Sequence, residues 1–170
     1  MSPASSAHAG RHTIVALIQD HPGALNRAVS LFRRRGFNIC SVNVGPSELP
    51  GISRMTLMVE ADDVKPIVRQ LDRLVEVVRI SDVTPLPRLE RETVLVRVRS
   101  AGRRAEIAAI CAACSGRVLD VSAESMMLEQ TATPHEIDDF IELLRPYGIE
   151  ELTRSGCVAM VRPARAPIHD

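Results

Sequence analysis

One pattern, met twice, limits what this chain can become. From residue 12 onward the sequence reads strand, helix, two strands joined by a short turn, helix, strand, and from residue 92 the same order returns. A β-α-β-β-α-β order with right-handed crossovers folds into a four-stranded antiparallel sheet with both helices on one face. The chain therefore predicts an α+β protein built from two tandem ferredoxin-like βαββαβ domains.

The elements follow from residue spacing. Residues 12–19 read as a strand with Ile14, Ala16 and Ile18 on one face and Val15 and Leu17 on the other. Both faces are apolar, so both need cover. Residues 23–35 read as a helix whose stripe is Leu25, Ala28, Val29 and Phe32, with Arg33, Arg34 and Arg35 complementing the dipole at its end and Gly36 as cap. Strands follow over 37–45 and 52–60. A helix starts near Asp62 or Asp63 with Pro66 in its first turn and a stripe of Val64, Ile67, Val68, Leu71 and Leu74. A strand over 76–83 completes a first domain at 12–84.

The proline-marked stretch 85–91 reads as a linker. The second domain, 92–162, has a strand over 92–99, a helix over 105–114 capped by Gly116, and strands over 117–123 and 125–131. The helix carries Ile107, Ile110, Cys111 and Cys114 on one side. Thr133-Pro134-His135-Glu136 is a capping box with proline at the first helical position. Ile137, Phe140, Ile141 and Leu144 form that helix's stripe, and a strand over 152–161 closes the unit. Residues 1–11 and 163–170 read as disordered tails. Helices on one face leave the other face of the first sheet bare, Val15 and Leu17 included. The expected cover is a second copy, as a symmetric dimer.

Composition removes several function classes. Lys+Arg and Asp+Glu stand at 21 each, and the chain has three Phe, one Tyr and no Trp. Neither a basic field nor base-stacking aromatics point to nucleic acid. No apolar run reaches the ~20 residues of a membrane span. The N-terminal stretch lacks the apolar core of a signal peptide, so a cytoplasmic location is expected. Cys40, Cys111, Cys114 and Cys157 lack the spacing of a secreted disulfide framework.

Catalytic signatures are missing as well: no Gly-Lys-Ser phosphate loop, no His-Glu-x-x-His, and five scattered histidines, of which His21 alone sits in a suggestive place. Cys111-Ala-Ala-Cys114 lies late in a helix on its apolar stripe, where core cysteines are expected rather than a redox pair. Met55, Met58, Met126, Met127 and Met160 read as core. Arg33–Arg35 point in different directions and read as a solvated helix end.

What remains is Asp20-His21-Pro22-Gly23-Ala24-Leu25, a loop that takes the first strand into the first helix. N–H groups at a helix start lack intrahelical acceptors and carry partial positive charge, so the loop suits a small carboxylate. Asn38 falls at the far end of that helix within one chain, yet across a dimer two-fold an edge residue can return to the partner's loop. Its amide offers both donor and acceptor. Together these would suit a free amino acid.

These residues resemble a known family. The first strand, Asp20-His-Pro-Gly-Ala-Leu25, Leu31-Phe-Arg-Arg-Arg-Gly-Phe-Asn-Ile39 and Ser53-Arg-Met-Thr56 are similar to the ACT domain of the acetolactate synthase (acetohydroxyacid synthase) small-subunit family. Arg91-Glu92 with Leu95–Val98, Val118–Val121, Phe140–Ile149 and Thr153–Gly156 resemble its C-terminal domain in order and spacing. The resemblance implies a non-catalytic regulatory subunit. It would bind and activate a large catalytic subunit that carries thiamine diphosphate, magnesium and FAD, and would itself hold no cofactor. Valine, or another branched-chain amino acid, would bind at a homodimer interface between ACT domains and inhibit. The implied ligand residues are Asp20, Pro22, Gly23, Ala24 and Leu25, with Asn38 and Ile39 from the partner chain. Asp20, His21, Cys40 and Cys114-Ser115 depart from the residues common in the family. A freestanding ACT sensor acting on another partner is the alternative; a transcription regulator would need a helix-turn-helix and a basic face, which are missing.

Overall fold

The structure, a computed structural model, describes residues 10–35 and 37–163, with the side chains of 33–35 left aside. The expected tails thus lie largely outside the described residues, as do the Gly36 cap, the side chains of Arg33–Arg35, and His8 and His169. The chain divides into two compact units, one of residues up to Leu89 together with those from Ala159 onward, the other Glu90–Val158.

Unit 1 contains β1 (Gly10–Gln19), α1 (Ala24–Arg35), β2 (Asn38–Pro46), β3 (Ile52–Ala61), α2 (Lys65–Leu71) and β4 (Val77–Asp82). Its sheet order is β2-β3-β1-β4, antiparallel throughout, as the element order requires. Ile14, Ala16 and Ile18 meet Met55, Leu57 and Val59 of β3 and Ala28, Phe32, Ile67 and Leu71 of the helices in one aliphatic core. The turn from β2 to β3 is held by Ser47, whose hydroxyl donates to Ile52 O at 2.7 Å and accepts from Leu49 N–H at 3.1 Å.

The stripe of α1 differs from its expected register. Ala24, Ala28 and Phe32 are the buried positions, whereas Leu25 stays 40% exposed and Leu31 packs against the core. With Ala24, Ala28 and Phe32 sharing the buried face at i, i+4 and i+8, Leu25 lies off that face beside the loop. Leu74 lies beyond the end of α2, in the turn to β4, and still packs on the core.

Unit 2 contains β5 (Arg88–Arg99, beginning at the boundary), α3 (Arg104–Ala113), β6 (Arg117–Val121), β7 (Ser125–Ala132), α4 (Pro134–Leu144), a 3-10 turn (Arg145–Tyr147), β8 (Ile149–Arg154) and the start of β9 (Val158–Val161). The sheet order β6-β7-β5-β8 repeats that of unit 1. Val94, Val96, Val98, Ile107, Met126, Leu128, Ile137 and Phe140 form the second core. The α4 capping box is present as read: Thr133 accepts from Glu136 N–H, and the Glu136 carboxylate accepts from Thr133 N–H at 2.8 Å.

Several expectations need correction. Residues 88–91, read as linker, belong to β5, and Gly10 and Arg11, read as tail, belong to β1. The closing strand of 152–161 is two strands, because Ser155 to Cys157 break the ladder. Residues 159–161 group with unit 1 rather than with unit 2. Arg54 Nη2 donates to Ala159 O at 2.8 Å, and Arg162 N–H donates to Pro87 O at 2.8 Å. This return has a consequence for the bare sheet face: Val15 is only 8% exposed and packs against Val83 and Ala159. The chain itself covers part of the face that was expected to need a second copy. Met55, Met58 and Met126 are core residues, but Met160 is 65% exposed.

The end of α3 is also not as expected. The left-handed residue is Ser115 (φ +59°), not Gly116. Ser115 N–H donates to Ala112 O at 3.0 Å and Gly116 N–H to Cys111 O at 2.8 Å, which is the Schellman pattern. Glycine is needed at 116 for space: a Cβ there would stand 2.9 Å from both Cys111 Sγ and Glu129 O.

Candidate functional site

The loop between β1 and α1 is fixed at both ends by backbone hydrogen bonds. Gln19 N–H donates to Glu76 O at 2.8 Å and Asp20 N–H to Gly51 O at 2.9 Å, which ties the end of β1 to its surroundings on two sides. His21 N–H turns back to Gln19 O at 3.1 Å, and Ala24 N–H to His21 O at 3.2 Å. Gly23, at φ +89°, adopts a left-handed conformation that few side chains tolerate. Arg27 N–H donates to Gly23 O at 3.0 Å and starts the helical ladder.

Asp20, His21, Pro22, Gly23 and Leu25 are exposed, while the Ala24 side chain is buried beneath them. The loop thus presents backbone, the polar side chains of Asp20 and His21 and the apolar ones of Pro22 and Leu25 at a helix start. Its amides have partial positive character, although Ala24 N–H is already engaged by His21 O. Nearby charges are mixed. Arg27 lies one turn below Gly23, and its Nε pairs with Glu76 Oε1 at 2.6 Å. The sequence reading missed both Arg27 and Glu76. The signal for Arg27 was its i+4 spacing from Gly23 on the same helix face; Glu76 reaches the loop only through the fold. His21 Nδ1 lies 3.2 Å from Pro22 O.

Asn38 and Ile39 lie at the other end of the sheet. Gln19 pairs with Ile52 and Asn38 with Glu60, a separation on the order of 26 Å along β3 at the usual rise of a strand. One unit does not bring the loop and Asn38 together. Asn38 Nδ2 instead donates to Glu60 Oε2 at 3.0 Å. That bond, followed by one from Cys40, holds the Glu60 carboxyl below the usual glutamate range. Burial and the Glu60 carboxylate push the Cys40 thiol up, so this exposed cysteine is not activated. Ile39 packs on its own core. β2 is an edge strand, so it presents unpaired backbone along one side.

The remaining chemical candidates settle into structural places. Cys111 is buried and Cys114 half-buried; burial pushes both thiols up, the opposite of a reactive pair. His12 lies 3.7 Å from Asp82, and His135 pairs with Asp139 at 3.0 Å within α4. Among the described residues no group of three or more His, Cys, Asp or Glu could hold a metal ion, and no helix is long and apolar enough to cross a membrane.

Comparisons with known proteins cover nearly the whole chain. A family model described as an AHAS small subunit-like ACT domain matches residues 14–79, and one described as the small subunit of acetolactate synthase matches residues 91–163. A probable acetolactate synthase small subunit of Archaeoglobus fulgidus is 44% identical over 155 residues, covering 89% of this chain and 97% of that protein. The acetolactate synthase small subunit of Mycolicibacterium smegmatis is 40% identical over 91% of this chain and 92% of its own length. The crystal structure of the acetolactate synthase small subunit from Thermotoga maritima matches with a TM-score of 0.85 at 39% identity, covering 92% of this chain and 99% of that one.

Proposed function

The chain belongs to the acetolactate synthase small-subunit family, and on that premise we propose that it activates a large catalytic subunit and makes it sensitive to valine. The thiamine diphosphate, magnesium and FAD of the reaction belong, on this reading, to that partner, and the complex works in the cytoplasm. The single observation that carries the effector site is the exposed glycine turn at Gly23, which leads from the end of β1 into the first backbone N–H groups of α1.

A free amino acid needs three things: donors for its carboxylate, an acceptor for its ammonium group and a small apolar surface for its side chain. The amides from Gly23 to Leu25 supply the first, with Gly23 and Leu25 better placed than Ala24, whose N–H is engaged. Asp20 of the same loop, or Asn38 of a second chain, supplies the second. Leu25, turned outward by the register of α1, supplies part of the third, with Pro22 beside it and Ile39 from the second chain. Because Asn38 lies at the far end of its own sheet, joint action with the loop requires another copy. A homodimer joined through the edge strand β2 and helix α1 meets that requirement.

The test is reconstitution. Purified chain is added to the thiamine-dependent catalytic subunit of the same organism, and acetolactate formation is followed with and without valine, leucine or isoleucine. Stimulation that valine reverses is expected. Neither stimulation nor an effect of any branched-chain amino acid would sink the proposal in favour of a sensor for another partner.

A further inference from the structure

Unit 1 contains a pocket that the reading above does not use. It lies on the sheet face opposite the helices, beside the returning residues 159–161, and all of its lining belongs to this unit. Its volume is about 350 Å³, within the range of small-molecule sites. Val15 and Leu17 of β1 line it from the sheet, and the exposed side chains of Leu86 and Met160 line it from the chain that crosses this face.

Two arginines distinguish it from an ordinary apolar hollow. Leu17 pairs with Arg54 of β3 on one side and with Arg79 of β4 on the other. Directly paired residues of antiparallel strands point to the same face. The register therefore sets Arg54, Leu17 and Arg79 in one row, with the two arginine Cα atoms about 10 Å apart, and both arginines line the pocket. Arg54 is held in place: its Nη2 donates to Ala159 O at 2.8 Å. A guanidinium carries five N–H donors, so that bond leaves others of Arg54 to spare. Arg79 is exposed and has no hydrogen-bond or ion-pair partner among the described residues. Glu48 lines the same pocket and forms an ion pair with neither arginine.

The lining thus carries two positive charges against one negative, over an apolar floor. A single negative charge on an aliphatic body matches both features. Arginine forks suit the planar geometry of a carboxylate, and an apolar body covers Leu17, Val15 and Met160. We propose that this pocket binds a small aliphatic monocarboxylate, whose carboxylate is held by Arg79 and Arg54 and whose chain lies over Leu17 and Val15 beneath Met160. The site is separate from the Gly23 loop, which leads into α1 on the other side of the sheet, and stands whether or not that loop binds valine.

Three probes test this on the full-length protein: hexanoate, hexylammonium and acetate. The readout is the backbone amides of Leu17, Arg79 and Met160 in nitrogen-15 correlation spectra, with Gly23 and Leu25 reporting on the loop. Saturable shifts at the first three from hexanoate, none from hexylammonium, and binding of acetate weaker by roughly ten-fold or more are expected. Arg79→Gln removes a side chain that has no partner in the fold, so it should keep the spectrum and weaken hexanoate roughly ten-fold. Arg69→Gln, which removes the same charge from α2 on the opposite face, should leave hexanoate binding unchanged. The proposal is overturned by hexylammonium or acetate binding as well as hexanoate. It is equally overturned by hexanoate binding undiminished in Arg79→Gln, by an equal loss in Arg69→Gln, or by hexanoate shifts that are absent or confined to Gly23 and Leu25.

Discussion

Replacing Gly23 by aspartate places a carboxylate where the proposed ligand's carboxylate should lie. Three terms set its effect. The first is backbone strain: a side chain at φ +89° costs about 1–2 kcal/mol. The second is space, and it is nearly free, since a Cβ at Gly23 would meet Arg27 Nη1 at 3.7 Å, an ordinary contact. The third is the helix dipole, which favours a negative charge at this end by about 0.3–1 kcal/mol. The third offsets part of the first and leaves a net cost of at most about 2 kcal/mol, small against the stability of a typical domain, so Gly23→Asp should fold and should still stimulate the catalytic subunit.

Its effect on the ligand is of another size. Two like charges about 4 Å apart repel by about 1 kcal/mol in water and about 4 kcal/mol at an effective dielectric near 20. The loop is exposed in a single chain and would be shielded in a shared site, so the loss lies between these limits, roughly 5-fold to 1000-fold in affinity. The assay is the valine concentration that half-inhibits the reconstituted enzyme. Gly23→Ala is the control, with the same strain and no charge, and should lose much less. Full valine sensitivity in Gly23→Asp, or an equal loss in Gly23→Ala, would refute the carboxylate assignment; the second result would make the loop's shape, not its charge preference, the cause.

Four further predictions follow from particular contacts. Mixing Gly23→Asp chains with Asn38→Ala chains should restore part of the inhibition that each variant lacks alone, because a mixed dimer keeps one intact loop facing one intact Asn38; no recovery would place the two residues in separate roles. Asn38→Ala should also raise the Glu60 carboxyl toward its ordinary range in an NMR titration. A carboxyl held low in the folded state adds stability that is present above its unfolded pKa and lost as the pH falls through its folded value, so this variant should narrow the acid-side difference; an unmoved Glu60 would contradict the bond. Arg154 donates from Nε and Nη2 to the two oxygens of Glu92, at 2.9 and 2.7 Å, and from Nη1 to Asp138 at 2.6 Å, while the Glu92 side chain is 4% exposed. Arg154→Met should therefore cost about 3 kcal/mol in urea unfolding followed by Tyr147, the chain's only tyrosine and a unit 2 residue; a loss under about 1 kcal/mol would show Glu92 finding water instead. Ser115→Gly should stabilise the same transition by roughly 0.5 kcal/mol, and Gly116→Ala should destabilise it by about 1–3 kcal/mol, with the opposite order ruling out the close approach at Gly116.

The tandem order was legible because each unit's signals agree with one another. Periodicity, the Thr133 capping box and the position of Pro66 all point to the same elements, and the sheet order follows from them. What was not legible depended on distances that a sequence does not carry. Glycine after α3 reads as a left-handed cap, yet the fold needs Gly116 for the approach of Cys111 and Glu129 and leaves the positive φ to Ser115. Leu25 fits a helical stripe on spacing, but the fold buries the face that holds Ala24 and Ala28, one residue off, and leaves Leu25 exposed. The return of residues 159–161 to unit 1 was hidden because an apolar closing strand looks the same whichever unit it covers.

That return bears on how the chain assembles. An apolar second face on β1 was the physical reason to expect a dimer, and Val15 is now covered from within by Val83 and Ala159. The sheet edge, more than the sheet face, is therefore the surface that calls for a partner. β2 is a nine-residue edge strand with Val42 and Val44 each 37% exposed, and such an edge is a template for pairing. Pairing there would place a second chain along the strand that carries Asn38 and Ile39. The residues left about 26 Å from the loop in one unit lie on the element best able to meet another copy, so the register that separates the two halves of the proposed site also puts one half at the interface that could reunite them.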